Sequence, residues 1–316
     1  MKIASNRIAD VVGFFREELK SIYESGEIET FIAYCFEEYL GIKKAAVVLN
    51  ADATVSESEL LKFHFAIKDL KRHKPIQYIL GKADFYGLKL NVNEHVLIPR
   101  PETEELVDLV IKEIGEWRRE KGEGRAESGE RGRENGKGRM ESRERLSILD
   151  IGTGSGCIAI SLKKNLSAAD VYAVDVSERA LEMAKQNALQ NAVDIKFFNY
   201  DILFSASSFP VYDLEFDIII SNPPYISISE KEQIEKNVID YEPHLALFVD
   251  DNEPLLFYKA ITNFALNHLK KNGKIYFEIN QRFAVETKQL LEYMGVKNVT
   301  LLKDLNDNYR IVKGTI

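Results

Sequence analysis

Apolar residues recur at helical spacing over residues 1 to about 74. Ile8, Val11, Val12, Phe15, Leu19 and Ile22 mark one face, and Ile28, Phe31, Ile32, Cys35, Phe36 and Leu40 a second. A third helix opens at Ser56-Glu57-Ser58-Glu59, where Ser56 and Glu59 have capping-box spacing, and carries Leu60, Leu61, Phe63, Phe65, Ile67 and Leu70. From Ser147 the pattern changes to short apolar runs that alternate with amphipathic segments. Strands are predicted at Ser147–Ile151, Asp170–Val174, Asp194–Phe198, Phe216–Ile220, Lys274–Ile279, Asn298–Leu302 and Tyr309–Lys313. Helices are predicted at Gly156–Lys164, Ser177 to about Gln190, Pro254–Leu269 and Phe283–Met294. Alternation of this kind implies an α/β fold: a doubly wound, Rossmann-like, mostly parallel sheet of seven strands behind a small N-terminal helical bundle.

Composition narrows the classes. A length of 316 residues fits one large domain with a smaller partner, and an apolar share of 45% supplies a sizeable core. A net charge of -8 argues against a protein held on DNA by phosphate contacts. Cys35 and Cys157 lack metal-ligand spacing and imply no disulfide framework, so no metal is expected. No apolar run approaches spanning length and no secretion signal opens the chain. The expectation is a cytoplasmic protein, monomeric and away from membranes.

Residues 118–145 break the texture. Of 28 residues, 10 are Lys or Arg, 7 are Glu and 6 are Gly. Such a segment buries too little surface to offset chain entropy, so a mobile charged insert is expected. It reads as a solvated spacer, with a basic nucleic-acid arm as the alternative.

The chemistry concentrates at two turns. Asn222-Pro223-Pro224-Tyr225 follows the apolar run Phe216–Ser221, at the strand end where open α/β sheets bind ligands. Pro224 has no amide hydrogen, so the tetrapeptide offers acceptors: the Asn222 side chain and the Pro223 carbonyl. Two acceptors beside the aromatic face of Tyr225 suit a planar group carrying NH2. The second turn, Gly152-Thr153-Gly154-Ser155-Gly156, follows the first strand. Its spacing is GxGxG, which is neither the dinucleotide fingerprint nor a P-loop, so a cofactor without a pyrophosphate fits better. Asp175 ends the second strand and is placed to accept both hydroxyls of a ribose, while Asp201, after the third strand, can meet an adenine amino group. Taken singly, each has a plain reading as a turn glycine or a helix-capping acid.

Together these residues resemble a class I S-adenosyl-L-methionine-dependent methyltransferase acting on planar amino groups. The NPPY tetrapeptide is shared by adenine-N6 and glutamine-N5 enzymes. Other segments closely resemble the HemK/PrmC family: Pro75–Gly81, Phe85-Tyr86-Gly87, Leu97–Glu104, Tyr241-Glu242-Pro243 with Ala246-Leu247, and Asp307-Asn308 with Arg310. The likeness runs from about residue 5 to the end, the insert apart.

The resemblance implies methylation of the glutamine amide in the Gly-Gly-Gln loop of class-1 peptide-chain release factors. It implies a docking bundle at residues 1–80, a β-hairpin linker at 81–98 (with strands in Phe85–Leu97 about an Asn91–Glu94 turn) and a catalytic domain at 99–316. Asn222, Pro223, Pro224 and Tyr225 would be the catalytic and substrate-binding set. Gly152, Thr153, Gly154, Ser155, Gly156, Asp175, Asp201, Ile202 and Asn222 would hold the cofactor. Two positions depart from the family pattern. Ile202 stands where many members carry Trp, and Glu278-Ile279-Asn280 replaces Glu-x-Gly. Arg100 has two open readings: packing with Ile98 and Pro99 beside the methionine end of the cofactor, or pairing with Glu102 or Glu104. A nucleic-acid amino methyltransferase, which must extract its base from a stack, is the runner-up, and a non-catalytic binding module comes third.

Overall fold

A computed structural model describes residues 5–120, 145–204, 209–210 and 213–316, which pack as two compact units. The smaller comprises Met1–Lys82, Val92–Glu94 and Gln233–Glu242. Its helices are α1 (Ile8–Leu19), α2 (Ser25–Leu40), α3 (Lys44–Leu49), α4 (Glu57–Leu70), α5 (Ile76–Leu80) and, from much later in the chain, α9 (Lys236–Tyr241). Most of the predicted apolar positions form its core, with Val11, Phe15, Leu19, Phe36, Phe63 and Leu70 buried together, whereas Leu61 and Phe65 on α4 are exposed. The capping box forms as its spacing requires. Ser56 Oγ accepts from the Glu59 amide at 3.3 Å, and Glu59 Oε2 accepts from the Ser56 amide at 2.7 Å. Helices α3 and α5 have no sequence signature because five or six residues are too few to display a 3.6 period. Helix α9 joins this unit through the Tyr241 hydroxyl, which donates to the Arg72 carbonyl at 2.8 Å.

The larger unit comprises Ala83–Asn91, His95–Glu232 and Pro243–Ile316. Strands β1 (Lys82–Phe85) and β2 (Leu88–Asn91) form a hairpin. Its turn is Tyr86-Gly87, both at positive φ (47° and 75°), the geometry that two-residue hairpin loops demand. The expected turn at Asn91–Glu94 is therefore corrected: the chain has already reversed six residues earlier. Helix α6 (Pro101–Glu120) follows, so residues 118–120 of the expected insert are helical, and 121–144 lie outside the described residues. At the far side Arg145 Nη1 pairs with Asp170 at 3.8 Å.

The main sheet contains β3 (Ser147–Ile151), β4 (Asp170–Asp175), β5 (Lys196–Asn199), β6 (Phe216–Ser221), β9 (Leu269–Glu278), β10 (Lys297–Lys303) and β11 (Tyr309–Thr315). Its order is β10-β11-β9-β6-β3-β4-β5, with β11 antiparallel to both neighbours and the other pairings parallel. The chain winds outward from β3 through β4 to β5, then returns to place β6 on the other side of β3. That reversal opens the crevice where doubly wound folds bind ligands. A two-stranded ladder, β7 (Ile226–Ser227) with β8 (Phe248–Val249), lies beyond β6.

Period-two alternation divides the core. Ile148, Val171, Ile218, Ile220 and Tyr276 face one layer, which includes residues of α6 and α7 (Cys157–Asn165). Leu149, Ile151, Val174, Ile219 and Phe277 face the other, with α10 (Leu256–His268) and α11 (Ala284–Tyr293). Helix α8 (Glu178–Gln190) completes the crossover from β4. Among the described residues, no helix is long and apolar enough to cross a membrane, and no cluster of His, Cys, Asp or Glu is arranged to hold a metal.

The glycine turn after β3 is anchored from below. Asp150, fully buried, accepts from the Thr153 hydroxyl at 2.6 Å. Burial raises its carboxyl from 3.8 to about 7, against the pull of that hydrogen bond. Native Asp150 thus keeps its proton where the unfolded chain has lost it, and stability falls as pH rises between these values. The gap bounds the effect at about 4 kcal/mol. Asp150→Asn, which cannot ionise, should gain stability over the wild type progressively from about pH 4 to pH 7. Thermal melts across that range check this; a difference in Tm that is flat with pH would contradict it.

Candidate active site

The carboxyl ends of β3, β4 and β6 border a cleft of about 880 Å³, counting its opening to solvent, which is within the range of small-molecule sites. Gly152 and Gly154 line it at φ 73° and 55°. A Cβ at either would project into open space, so the turn itself is the cradle. The amides of Gly152 and Thr153 both donate to the Val174 carbonyl, at 2.9 and 3.0 Å, which ties the turn to β4. Gly156 has a different reason to be glycine. Its added Cβ would stand 2.9 Å from Ile160 Cδ1 and 3.2 Å from Ala184 Cβ, where the turn meets α7 and α8. Thr153, Ser155 and Gly156 thus shape the turn from behind the cleft wall.

Asp175 lines the cleft at the end of β4. Oδ2 accepts from the Gly154 amide and Oδ1 from the Ser177 amide, both at 2.9 Å. A carboxylate has about four lone-pair sites, more than these amides use, which suits a further hydroxyl donor. Desolvation raises its carboxyl above the ordinary range, and the backbone amides of Ser177, Gly154 and Val176 oppose this. Asp201 and Ile202 also line the cleft. Asp201 Oδ1 accepts from the Leu203 amide at 2.9 Å, so the plain capping reading holds for one of its oxygens. Ile202 packs on the edge of the apolar core and gives this wall an aliphatic surface. A partly apolar cleft with carboxylates at its turns fits a cationic adenosine-type ligand.

Asn222, Pro223 and Pro224 line the same cleft at the end of β6. The Ser221 hydroxyl donates to the Ile151 carbonyl at 2.6 Å and holds the two strand ends together. Tyr225 is turned differently from the expectation of a stacking face. It lies outside the cleft lining, partly buried against the core, and its hydroxyl donates to Glu278 Oε1 at 3.0 Å. Burial, then the adjacent carboxylate, raises the Tyr225 phenol above its ordinary range.

Glu278 is the residue that sequence reasoning passed over, noting it only as part of a variant motif. Parallel pairing sets Ser221 beside Phe277, so Glu278, the last residue of β9, stands level with Asn222, the first residue after β6. Glu278 is 1% exposed. Its Oε2 accepts from the Thr103 hydroxyl at 2.6 Å, and Thr103 Oγ1 accepts from Asn222 Nδ2 at 3.1 Å. Burial raises the Glu278 carboxyl; the Thr103 and Tyr225 donors and the charge of Arg310 oppose the rise. Arg310 itself is held by Asp304 at 3.2 Å. Asn280, the departure from Glu-x-Gly, has φ -69° and needs no glycine. Its Nδ2 donates to the Tyr225 carbonyl at 3.0 Å and to Glu230 Oε2 at 3.2 Å. The tetrapeptide is therefore fastened at both ends.

The segment before α6 contributes His95, Val96 and Leu97 to the cleft wall, and Ile98–Arg100, which one of the two open readings set beside the cofactor, are not among its lining residues. Arg100 acts at the head of α6, its carbonyl accepting from the Thr103 amide at 3.1 Å. Pro243, Leu245 and Ala246 also line the cleft, which gives the Glu-Pro and Ala-Leu motifs a place in it.

Comparison with known proteins agrees with this geometry. A PrmC N-terminal domain model matches residues 11–81, and a methyltransferase small domain model matches residues 138–244. The release factor glutamine methyltransferase of Flavobacterium psychrophilum is 47% identical over 299 residues, 95% of each chain. That of Bacteroides thetaiotaomicron is 37% identical over 302 residues, covering 96% of this chain and 98% of the relative. Among solved structures, the hMettl16 catalytic domain in complex with MAT2A 3'UTR hairpin 6 covers 82% of each chain at a TM-score of 0.50 and 16% identity, a likeness of fold alone. The chain belongs to the release factor glutamine methyltransferase family.

Proposed function

We propose that this protein methylates the side-chain amide nitrogen (N5) of the glutamine in the Gly-Gly-Gln motif of class-1 peptide-chain release factors, and so tunes translation termination. The carrying observation is the state of Asn222. Its Nδ2 is engaged by Thr103, which leaves Oδ1 as the remaining polar atom of that amide at the cleft. Membership of the family supports a glutamine amide as the acceptor rather than a nucleobase.

S-adenosyl-L-methionine supplies a methyl group already activated by its sulfonium. What remains for the protein is positioning. An amide nitrogen is a weak nucleophile because its lone pair is delocalised into the carbonyl. Asn222 Oδ1 and the Pro223 carbonyl would each accept one N–H of the glutamine, fix its plane, and stabilise positive charge as it develops on nitrogen. Pro223 and Pro224 contribute no N–H, so the surface stays one of acceptors. The proton that nitrogen gives up leaves to water in the open cleft. Gly152, Gly154, Asp175, Asp201 and Ile202 would hold the cofactor, with Asp175 on the ribose hydroxyls. Residues 1–80 would dock the release factor, residues 81–98 would link, and residues 99–316 would catalyse.

The direct test incubates the protein with labelled cofactor and purified release factors, then locates the label by peptide mass spectrometry. Label on the Gly-Gly-Gln glutamine is expected, and label elsewhere or none rejects the reading. Asn222→Ala should nearly abolish turnover while cofactor affinity stays within about threefold, since it removes an interaction made chiefly as charge develops. Equal loss of both would make Asn222 structural. Asp175→Ala should weaken cofactor binding by about 1–3 kcal/mol, the worth of a hydrogen bond to a charged group. Calorimetry showing unchanged affinity would remove the ribose assignment.

A further inference from the structure

Hydrogen-bond direction in the buried cluster beside Asn222 is set by one residue. Two hydroxyl donors and the nearby Arg310 charge favour the ionised form of Glu278 against its burial, and a carboxylate has lone pairs and no proton, so both oxygens act as acceptors toward Thr103 and Tyr225. A threonine hydroxyl has one proton. Once Thr103 gives it to Glu278 at 2.6 Å, Thr103 Oγ1 can only accept from Asn222. The Asn222 amide is thereby compelled to present its nitrogen to Thr103 and its oxygen elsewhere. The relay is well shielded: Thr103 is 2% exposed and Glu278 is 1% exposed. It also joins three separate elements, the first turn of α6, the end of β6 and the end of β9.

We infer that Glu278 is a positioning residue which, through the Thr103 hydroxyl, locks the side-chain amide of Asn222 with its oxygen toward the methyl-accepting nitrogen. The inference deepens the proposed function and rests on it. Its physical content is a matter of sign. With the amide turned over, Asn222 would direct N–H groups at the NH2 of a glutamine, and two donors would face each other. Neither Thr103 nor Glu278 lines the cleft, so their effect on turnover passes through Asn222.

The test uses the full chain with release factor as methyl acceptor. Thr103→Val removes the hydroxyl at nearly constant shape, and Thr103→Ser retains it. Glu278→Gln keeps shape but supplies an NH2 that can donate to Thr103 and reverse the relay. For Thr103→Val and Glu278→Gln, kcat should fall about 100-fold with cofactor Kd within about threefold, and Thr103→Ser should stay within about fivefold of wild type. Thr103→Val with kcat within about threefold of wild type would overturn the inference. So would loss of cofactor affinity or melting temperature in step with kcat, which marks a merely structural role. If Glu278→Gln does not fold, the Val and Ser pair at Thr103 still decides. A wild-type enzyme that leaves the glutamine unmodified overturns the functional reading and this inference with it. An active wild type with an unaffected Thr103→Val overturns the inference alone.

Discussion

A buried carboxylate imposes direction on whatever hydrogen-bonds to it, and the acceptor end of the cleft depends on that constraint. Glu278 holds Thr103 with one oxygen and Tyr225 with the other, at 2.6 and 3.0 Å. Desolvating such a charge costs several kcal/mol unless donors and an opposite charge compensate, and here two hydroxyls and the nearby Arg310 offset part of that cost. The arrangement is therefore an unlikely one for packing alone. A leucine in that place would bury more cheaply but would leave the Asn222 amide free to choose its face. Polar networks in cores are best attested where they fix one arrangement among several of similar energy, and an asparagine amide offers two.

Sheet register makes the network possible. β3 is central, with β4 on one side and β6 on the other. The glycine turn leaves β3 at the height where Asn222 leaves β6, because Ile151 pairs with Ser221. On the next strand Phe277 pairs with Ser221, which puts Glu278 level with Asn222. The glycine turn, the Asn222 loop and Glu278 thus lie in one row along the carboxyl edge. A slip of one residue in any pairing would turn the functional residue onto the opposite face.

Much of this was legible in the chain. Strands β3 and β6 and the turns after them announce themselves, because a buried central strand is a dense apolar run and the residues that follow it are conspicuous. The faces of α1, α2 and α4 were equally plain, since twelve or more residues display the helical period fully. The hairpin was misplaced because its turn, Tyr86-Gly87, relies on a tyrosine at positive φ, which no propensity rule anticipates. Helix α9 reads as a loop excursion of the catalytic half, yet Tyr241 bonds to Arg72 and the segment packs with the bundle. Glu278 was invisible as a site residue because its importance lies in lateral neighbours from α6 and the loop after β6, at separations of 175 and 53 residues. Asn280 stands where the family pattern has a glycine. At φ -69° it needs none, and its amide adds a clamp on the Tyr225 carbonyl that glycine could not supply.

An acceptor-only pocket also accounts for both ends of the proposed reaction. A glutamate side chain brings oxygens to oxygens and is repelled, so discrimination between glutamine and glutamate comes from a built-in clash as much as from attraction. The primary amide satisfies both acceptors with its two N–H groups. Once methylated, the nitrogen keeps one, and Asn222 Oδ1 and the Pro223 carbonyl must compete for it. One acceptor then loses its partner, at the cost that accompanies an unpaired polar group in a partly buried site. The product is held more weakly than the substrate by the same atoms that oriented it, and a second methyl, which would remove the last N–H, finds no complementary site.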